Sequence, residues 1–109
     1  MTKEQQNTNI EGFTKDDKDK IRYSLIEPII LKAHAEVLTY GANKYEVGNW
    51  KKVDNISRYM DAAYRHIEAY RQGQNKDEES GLSHLAHAIT NLGFMLYLQE
   101  NKISKGDIS

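Results

Sequence analysis

The sequence contains no cysteine, and this absence removes several classes of chemistry from consideration. Disulfide bridges, zinc sites built from thiolates, iron–sulfur clusters and cysteine nucleophiles are all excluded. Proline occurs once and glycine seven times in 109 residues, too few for the closely spaced turns of an all-β domain. No apolar run approaches the roughly 20 residues that a membrane-spanning helix needs. The length fits one domain.

Neither sign of charge is in excess, because 15 Lys and Arg face 16 Asp and Glu for a net charge of -1. Proteins that bind nucleic acid or an acidic membrane usually carry a basic surplus, so we expect neither partner. The opening residues, Met1–Gln6, are polar and do not have the form of a signal peptide. A cytoplasmic location is therefore expected.

The polarity of the chain predicts one structured domain between two polar tails. Residues 1–20 are mostly charged and amide side chains, and their run Lys15–Lys20 alternates in sign. Such a segment predicts a flexible tail. Residues 101–109 are expected to form a second polar tail. Residues 21–100 are expected to form a single α-helical domain.

The spacing of apolar residues predicts an all-α fold of three main helices plus a short helix or ordered loop. The first helix is expected to begin near Ser24–Glu27, which has capping-box spacing, and to end at Gly41. A linker over 41–56 is too long for a tight turn. The second helix is expected to start with Ser57 as its cap and to end near residues 72–73. The third is expected to span about 81–100.

Two of these helices carry apolar stripes that are expected to face the core. On the second helix the stripe comprises Met60, Ala63, Tyr64, Ile67 and Tyr70, and on the third it comprises Leu85, Ile89, Leu92 and Leu96. Beyond Ala88 the third helix is apolar nearly all round. Because a chain this short offers little protein to bury such a helix, we expect a homo-oligomer, a dimer or larger, that forms through the C-terminal helix.

Three hydrogen-bonding side chains share a narrow stripe on the third helix. His84, His87 and Asn91 are spaced by three and four residues, on the side opposite the leucine stripe. Polar side chains on a helix that is otherwise buried need partners. A nucleotide, a metal ion or the polar residues of another helix would each supply them.

The second helix adds a smaller polar group. His66 lies on a strip of small residues, where a ligand or another helix can approach closely. Its role is equally open between binding and structure. Arg65 lies between Asp61 and Glu68 at helical spacing, a pattern typical of a solvated salt-bridge stripe.

An acidic loop precedes the third helix. Asp77, Glu78 and Glu79 could hold a hard cation such as Mg²⁺, or could simply favour the helix N-terminus. The backbone amides after Ser80 could hold a phosphate.

The linker combines amines, aromatic rings and an amide, the groups that a nucleotide pocket uses. These residues are Lys44, Tyr45, Asn49, Trp50, Lys51 and Lys52. The sequence has no glycine-rich phosphate loop and no motif of a serine nucleophile. Any hydrolysis would therefore be metal-assisted attack by water.

Taken in order, several motifs resemble a known family. They are Tyr40-Gly41-Ala42-x-Lys44-Tyr45, Asn49-Trp50, Arg65-His66 and Asp77-x-Glu79-Ser80-Gly81-Leu82-x-His84-Leu85-Ala86-His87-Ala88-x-x-Asn91. Over about residues 20–98 the chain resembles the phage-associated dATP/dGTP diphosphohydrolase N-terminal domain family, which is related to MazG-like nucleotide pyrophosphohydrolases.

This resemblance implies an oligomeric all-α domain that binds a purine deoxynucleoside triphosphate and cleaves it with Mg²⁺ or Mn²⁺, in the host cytoplasm if a phage encodes it. Expected catalytic residues are Glu68, Asp77 and His84. Expected metal ligands are Asp77, Glu79, His84 and His87. Expected nucleotide-binding residues are Lys44, Tyr45, Asn49, Trp50, Arg65, His66, Ser80, His87 and Asn91.

One departure leaves the function open. MazG-like enzymes hold Mg²⁺ with carboxylates on two helices, whereas here the first helix offers only Glu36 and the third offers His-x-x-His. Imidazole suits Mn²⁺ or softer ions better than Mg²⁺. The alternative to a hydrolase is a phage sponge that sequesters a nucleotide immune signal without cleavage or metal. A third hypothesis is an interaction module whose histidines only join helices.

Overall fold

A computed structural model describes residues 19–106 and shows an all-helical chain. The three main helices are α1 (Pro28–Lys44), α2 (Ser57–Arg71) and α3 (His84–Ser104). Single 3₁₀ turns at Tyr23–Leu25 and Asn49–Lys52 precede and follow α1. No strand forms within the described residues, where only an isolated bridge joins Lys76 to Ser83. The predicted fold class is confirmed, including the short helix in the linker.

Both ends of α1 differ from the predicted ones. The helix begins at Pro28 rather than near Ser24, because the residues around Ser24 form a separate 3₁₀ turn and Glu27 has extended backbone angles. It also continues through Gly41 to Lys44, so the predicted end at Gly41 is wrong. A glycine inside a helix weakens it without ending it, and the φ angle of Gly41 is not positive.

The starts of α2 and α3 are fixed by short polar side chains. Ser57 is the first residue of α2 rather than its cap, and its N–H and hydroxyl both donate to Asn55 Oδ1 at 3.1 and 2.7 Å. Ser83 caps α3 and accepts from the amides of Leu85 and Ala86.

The C-terminal end of α3 lies beyond the predicted one. The helix continues to Ser104, so residues 101–104 of the predicted tail form its last turn. Residues 1–18 of the predicted N-terminal tail and residues 107–109 lie outside the described part.

Helix α3 packs against both other helices and forms the centre of the fold. His34 and Tyr40 of α1 meet Thr90 and His87 of α3 in reverse order, so the two helices are antiparallel. Helix α2 is antiparallel to α3 as well, because Tyr59 lies against Phe94 and His66 against His84. The linker turn at residues 49–52 also contacts α3.

The inward faces of α2 and α3 are not the predicted ones. Helix α2 buries Ala63, while the predicted core residues Met60, Tyr64, Ile67 and Tyr70 are between 38% and 65% exposed. Helix α3 turns its polar stripe inward and leaves Leu85, Leu92 and Leu96 exposed by 41%, 52% and 59%. Periodicity identified residues that share a face, and small side chains together with mutual hydrogen bonding decided which face packs inward.

No helix within residues 19–106 is long and apolar enough to cross a membrane. Assembly through α3 stays a prediction, and the exposed leucines leave a surface for it.

Two glycine substitutions test the course of α1. Gly41 is helical with open space where a Cβ would stand, so Gly41→Ala is expected to raise the free energy of unfolding by about 0.5–1 kcal/mol. Urea denaturation followed by circular dichroism measures this change.

The matched control is Gly48→Ala, at a residue with a φ of 75°. This substitution is expected to destabilise the fold, since alanine strains in the left-handed region. Destabilisation by Gly41→Ala would show that the helix ends at Gly41.

Candidate functional site

Three histidines from two helices meet at the centre of the fold. His66 Nδ1 on α2 lies 2.8 Å from His84 Nδ1 on α3, within hydrogen-bond distance. The His66 ring also stacks on that of His87, with centroids 4.5 Å apart and planes within 8°. The three-residue spacing puts His84 and His87 on one face of α3. On α2 small residues beside His66, such as Ala62 and Ala63, let the helices approach closely.

The loop before α3 folds back onto these histidines. The N–H of Asp77 donates to Leu82 O at 2.8 Å, and the N–H of Gly81 donates to Asp77 O at 2.8 Å. Gly81 has a φ of 73°, which a glycine adopts without strain. Within this turn Asp77 Oδ2 accepts the N–H of Ser80 at 2.9 Å, and Ser80 Oγ lies 2.7 Å from His87 Nε2. The turn therefore delivers a carboxylate and a hydroxyl to the cluster.

His66, Asp77 and His84 can hold a metal ion. One ligand atom from each lies within 4.8 Å of the others, and all three side chains are at least half-buried. Two imidazole nitrogens and one carboxylate oxygen form a donor set for Mn²⁺, Co²⁺ or Zn²⁺, whereas Mg²⁺ prefers oxygen ligands. The donor set thus fits a first-row transition cation, and we name these three residues the cation cluster.

The protonation states of His66, Asp77 and the neighbouring His87 are compatible with a bound cation. Burial, with the neighbouring His87 and His84, lowers the pKa of His66 to about 4. Burial also lowers the pKa of His87. Although partial burial opposes its ionisation, hydrogen bonds from Ser80 hold the pKa of Asp77 below its usual value. At neutral pH the site therefore presents neutral His66 and His87 rings and an ionised carboxylate.

A pocket of about 600 Å³ opens beside the cluster, between α1, the linker and α3. Six of the predicted nucleotide-binding residues line it: Lys44, Tyr45, Asn49, Trp50, His87 and Asn91. The structure adds residues to its wall that the sequence reasoning missed, among them Arg58, Tyr59 and Phe94. Phe94 continues the stripe of His87 and Asn91 at helical spacing, and this signal could have identified it.

Aromatic packing fixes the linker over α3. The Trp50 indole stacks on Phe94 with centroids 4.3 Å apart and meets Tyr97 edge-on at 5.0 Å. Tyr59 donates its hydroxyl to Trp50 O at 2.8 Å. Lys51 Nζ lies 5.6 Å from the centre of the Trp50 ring. Phe94 therefore covers one face of the Trp50 ring, and Tyr45 stays 60% exposed at the pocket wall.

Glu79 bonds to α1 rather than to the histidines. Its carboxylate forms an ion pair with Lys44 and accepts the hydroxyl of Tyr40. The bond to Glu79 raises the pKa of Lys44, and the same bond lowers the pKa of Glu79. Two predicted site residues thus join the acidic loop to α1 at the edge of the pocket.

Glu68 and Arg65 lie away from the cation cluster. Glu68 accepts from Arg71 Nε at 3.0 Å and from Gln72 at 3.4 Å, and so pairs with Arg71 instead of the expected Arg65. Arg65 is exposed and does not line the pocket. The structure therefore brings together His66, Asp77, Ser80, His84 and His87 but not these two residues.

Buried polar partners hold α3 in register beneath the pocket. Asn91 Nδ2 donates to His87 O at 2.8 Å. Thr90, which is fully buried, lies 2.9 Å from Nδ1 of the half-buried His34. No buried side-chain polar atom within the described residues lacks a partner.

Comparison with known proteins agrees with the motifs. A family model described as "dATP/dGTP diphosphohydrolase, N-terminal" matches residues 11–108. A Salmonella phage PMBT28 protein named dATP/dGTP diphosphohydrolase is 37% identical over 91 residues, covering 84% of this chain. The chain spans 31% of the length of that relative. No solved structure matches significantly.

Acidification tests the protonation state of the cluster. Because the pKa of His66 falls from 6.5 to about 4 on folding, the unfolded chain binds a proton between these values that the folded chain excludes. Stability is thus expected to decrease as the pH falls from 6.5 to about 4. Urea denaturation at a series of pH values, with a chelator present, measures the decrease.

The variant His66→Gln is the comparison for this experiment. It is expected to flatten the pH dependence in the same window, since glutamine does not titrate. An unchanged slope in the variant would show that His66 titrates normally in the folded chain.

Proposed function

This chain belongs to the dATP/dGTP diphosphohydrolase N-terminal family, and from that premise we propose that it binds and hydrolyses a purine deoxynucleoside triphosphate. The nucleotide would lie in the pocket between α1, the linker and α3. Cleavage of the phosphate chain would occur where that pocket adjoins the cation cluster.

The position of His87 carries this proposal. One side of His87 lines the pocket, and its ring stacks on His66 of the cation cluster. A phosphate chain in the pocket would therefore end next to the residues able to bind a cation. An interaction module does not need such a pocket beside neutral imidazoles and a carboxylate.

The pocket wall supplies groups of the types that a nucleotide requires. Lys44, Lys51 and Arg58 line it and would neutralise phosphate charge. Tyr45, the exposed ring at the wall, and Trp50, whose position is fixed by Phe94, are the candidates to stack on a base. Asn49 offers both a donor and an acceptor to a base edge.

The cation cluster, His87 and Ser80 would each have a separate role in hydrolysis. His66, Asp77 and His84 would hold a divalent cation, which when bound would polarise a phosphoryl oxygen and make a water more acidic. His87, neutral at physiological pH, would take a proton from the attacking water. Ser80 would orient the His87 ring by accepting its Nε2–H on the hydroxyl oxygen that also accepts the N–H of Leu82, which leaves the lone pair of His87 Nδ1 to take the proton.

Cation binding is testable without any nucleotide. Titration with Co²⁺ is expected to produce visible absorption bands of a nitrogen- and oxygen-ligated ion and to raise the melting temperature. Asp77→Asn is expected to abolish both effects, and Asp61→Asn, on the exposed side of α2, is the matched control. Equal binding by the two variants would refute the cation cluster.

Hydrolysis is tested by incubating the chain with dATP or dGTP and either Mn²⁺ or Mg²⁺. Monophosphate is expected, with Mn²⁺ more effective than Mg²⁺. Asp77→Asn and His84→Ala are each expected to lower the rate by about 100-fold or more, and Asp61→Asn is expected to retain it. Nucleotide bound tightly and recovered intact in every condition would instead favour the sponge.

A further inference from the structure

The outward face of α3 carries a regular series of six side chains, five of them apolar, that face away from α1 and α2. Its members follow one another at intervals of four, three, four, three and four residues, the heptad spacing of helices that pair along their length. They are Leu85, Ile89, Leu92, Leu96, Gln99 and Ile103, and we name them the α3 seam. Leu92 and Leu96 at its middle are 52% and 59% exposed.

The helices of the same chain lie on the other side of α3. Contacts to α1 and α2 come from the opposite stripe, which includes His84, His87, Thr90 and Phe94. Outside the described part, residues 1–18 and 107–109 contain only Met1, Ile10, Phe13 and Ile108 as large hydrophobic residues.

We propose that the α3 seam pairs, in antiparallel orientation, with the α3 seam of a second copy of this chain. The series of intervals is identical in both directions along the helix. A two-fold axis near its middle therefore places every seam residue opposite a seam residue of the partner subunit. Leu92 then faces Leu96 of the partner subunit, and Leu85 faces Ile103 of the partner subunit. A two-fold axis of this kind makes the interface self-complementary.

Charge favours the antiparallel orientation over the parallel one. Glu78 is exposed just before α3, and Lys105 is exposed just after it. Antiparallel pairing places the acidic loop before one α3 at the same end of the pair as Lys105 of the partner subunit, and it opposes the two helix dipoles. Parallel pairing would bring like charges together at both ends.

Exposed apolar side chains on α1 add to the surface that a second copy would cover. Because α1 is antiparallel to α3, its first turns lie beside the C-terminal half of α3, and they expose Ile29 and Ile30 by 64% and 44%. Monomeric proteins rarely expose apolar patches beyond a few hundred Å², and a stable interface buries about 800 Å² on each partner. The seam and these α1 residues expose large apolar side chains of the type that interfaces cover. The proposal is independent of nucleotide chemistry.

Single cysteines test the orientation, because the natural chain has none. Leu85→Cys and Ile103→Cys chains are mixed at low concentration, concentrated, oxidised and analysed by mass spectrometry without reductant. Antiparallel pairing is expected to give mainly the mixed disulfide between the two variants. Disulfides within each variant alone would show parallel pairing, and a yield no higher than that of Asn43→Cys on exposed α1 would show no seam contact; either result overturns the proposal.

A charge in the seam tests its contribution to assembly. Leu92→Glu is expected to convert a dimer into a monomer by light scattering, with unchanged helical circular dichroism because the side chain is already half-exposed. Ile67→Glu, on the outward face of α2, is the matched control and is expected to stay dimeric. A monomeric natural chain, or dissociation by Ile67→Glu alone, would contradict the seam.

Discussion

The rest of the structure depends on the contact between His66 and the histidines of α3. One imidazole hydrogen-bonds to His84 and stacks on His87, so two helices are joined by polar rings where most small domains place leucines. Rings at this distance require small neighbours, and the alanines of α2 satisfy that requirement. Burial then keeps His66 and His87 neutral, the protonation state in which an imidazole binds a cation or accepts a proton.

The loop and the pocket follow from the same contact. With α3 held by its polar stripe, the turn around Asp77 and Ser80 closes onto His87. The linker then packs over the end of that stripe through Trp50 and Phe94. A pocket lined by lysines and aromatic rings is left between the linker and α1. Because the polar stripe of α3 faces inward, the leucines of the α3 seam face outward and are about half-exposed.

Much of the fold could be predicted from helical spacing, since apolar and polar residues repeat with the period of a helix in three separate segments. Spacing did not identify which stripe of α3 faces inward, because the hydrogen-bond partners of its polar side chains lie elsewhere in the sequence: His84 bonds to His66 of α2, and His87 bonds to Ser80 of the acidic loop. The end of α1 was predicted wrongly at Gly41 because glycine often ends helices, whereas the φ angle of Gly41 here is not positive. The alignment of His84, His87 and Asn91 was visible along one helix. That His66 and Asp77 join His84 in the cation cluster is visible only in the tertiary structure. The same holds for Glu68, which pairs with Arg71 and lies away from the cluster.

In the proposed mechanism a bound cation and a nucleotide phosphate chain meet at His87. Phosphorus relaxation of a non-hydrolysable dGTP analogue, measured with bound Mn²⁺, reports the distance from the ion to each phosphorus nucleus. We expect a cation in direct or one-water contact with the phosphate chain, and loss of that relaxation effect in Asp77→Asn. A nucleotide that binds equally well with its phosphates beyond the reach of the ion would contradict it.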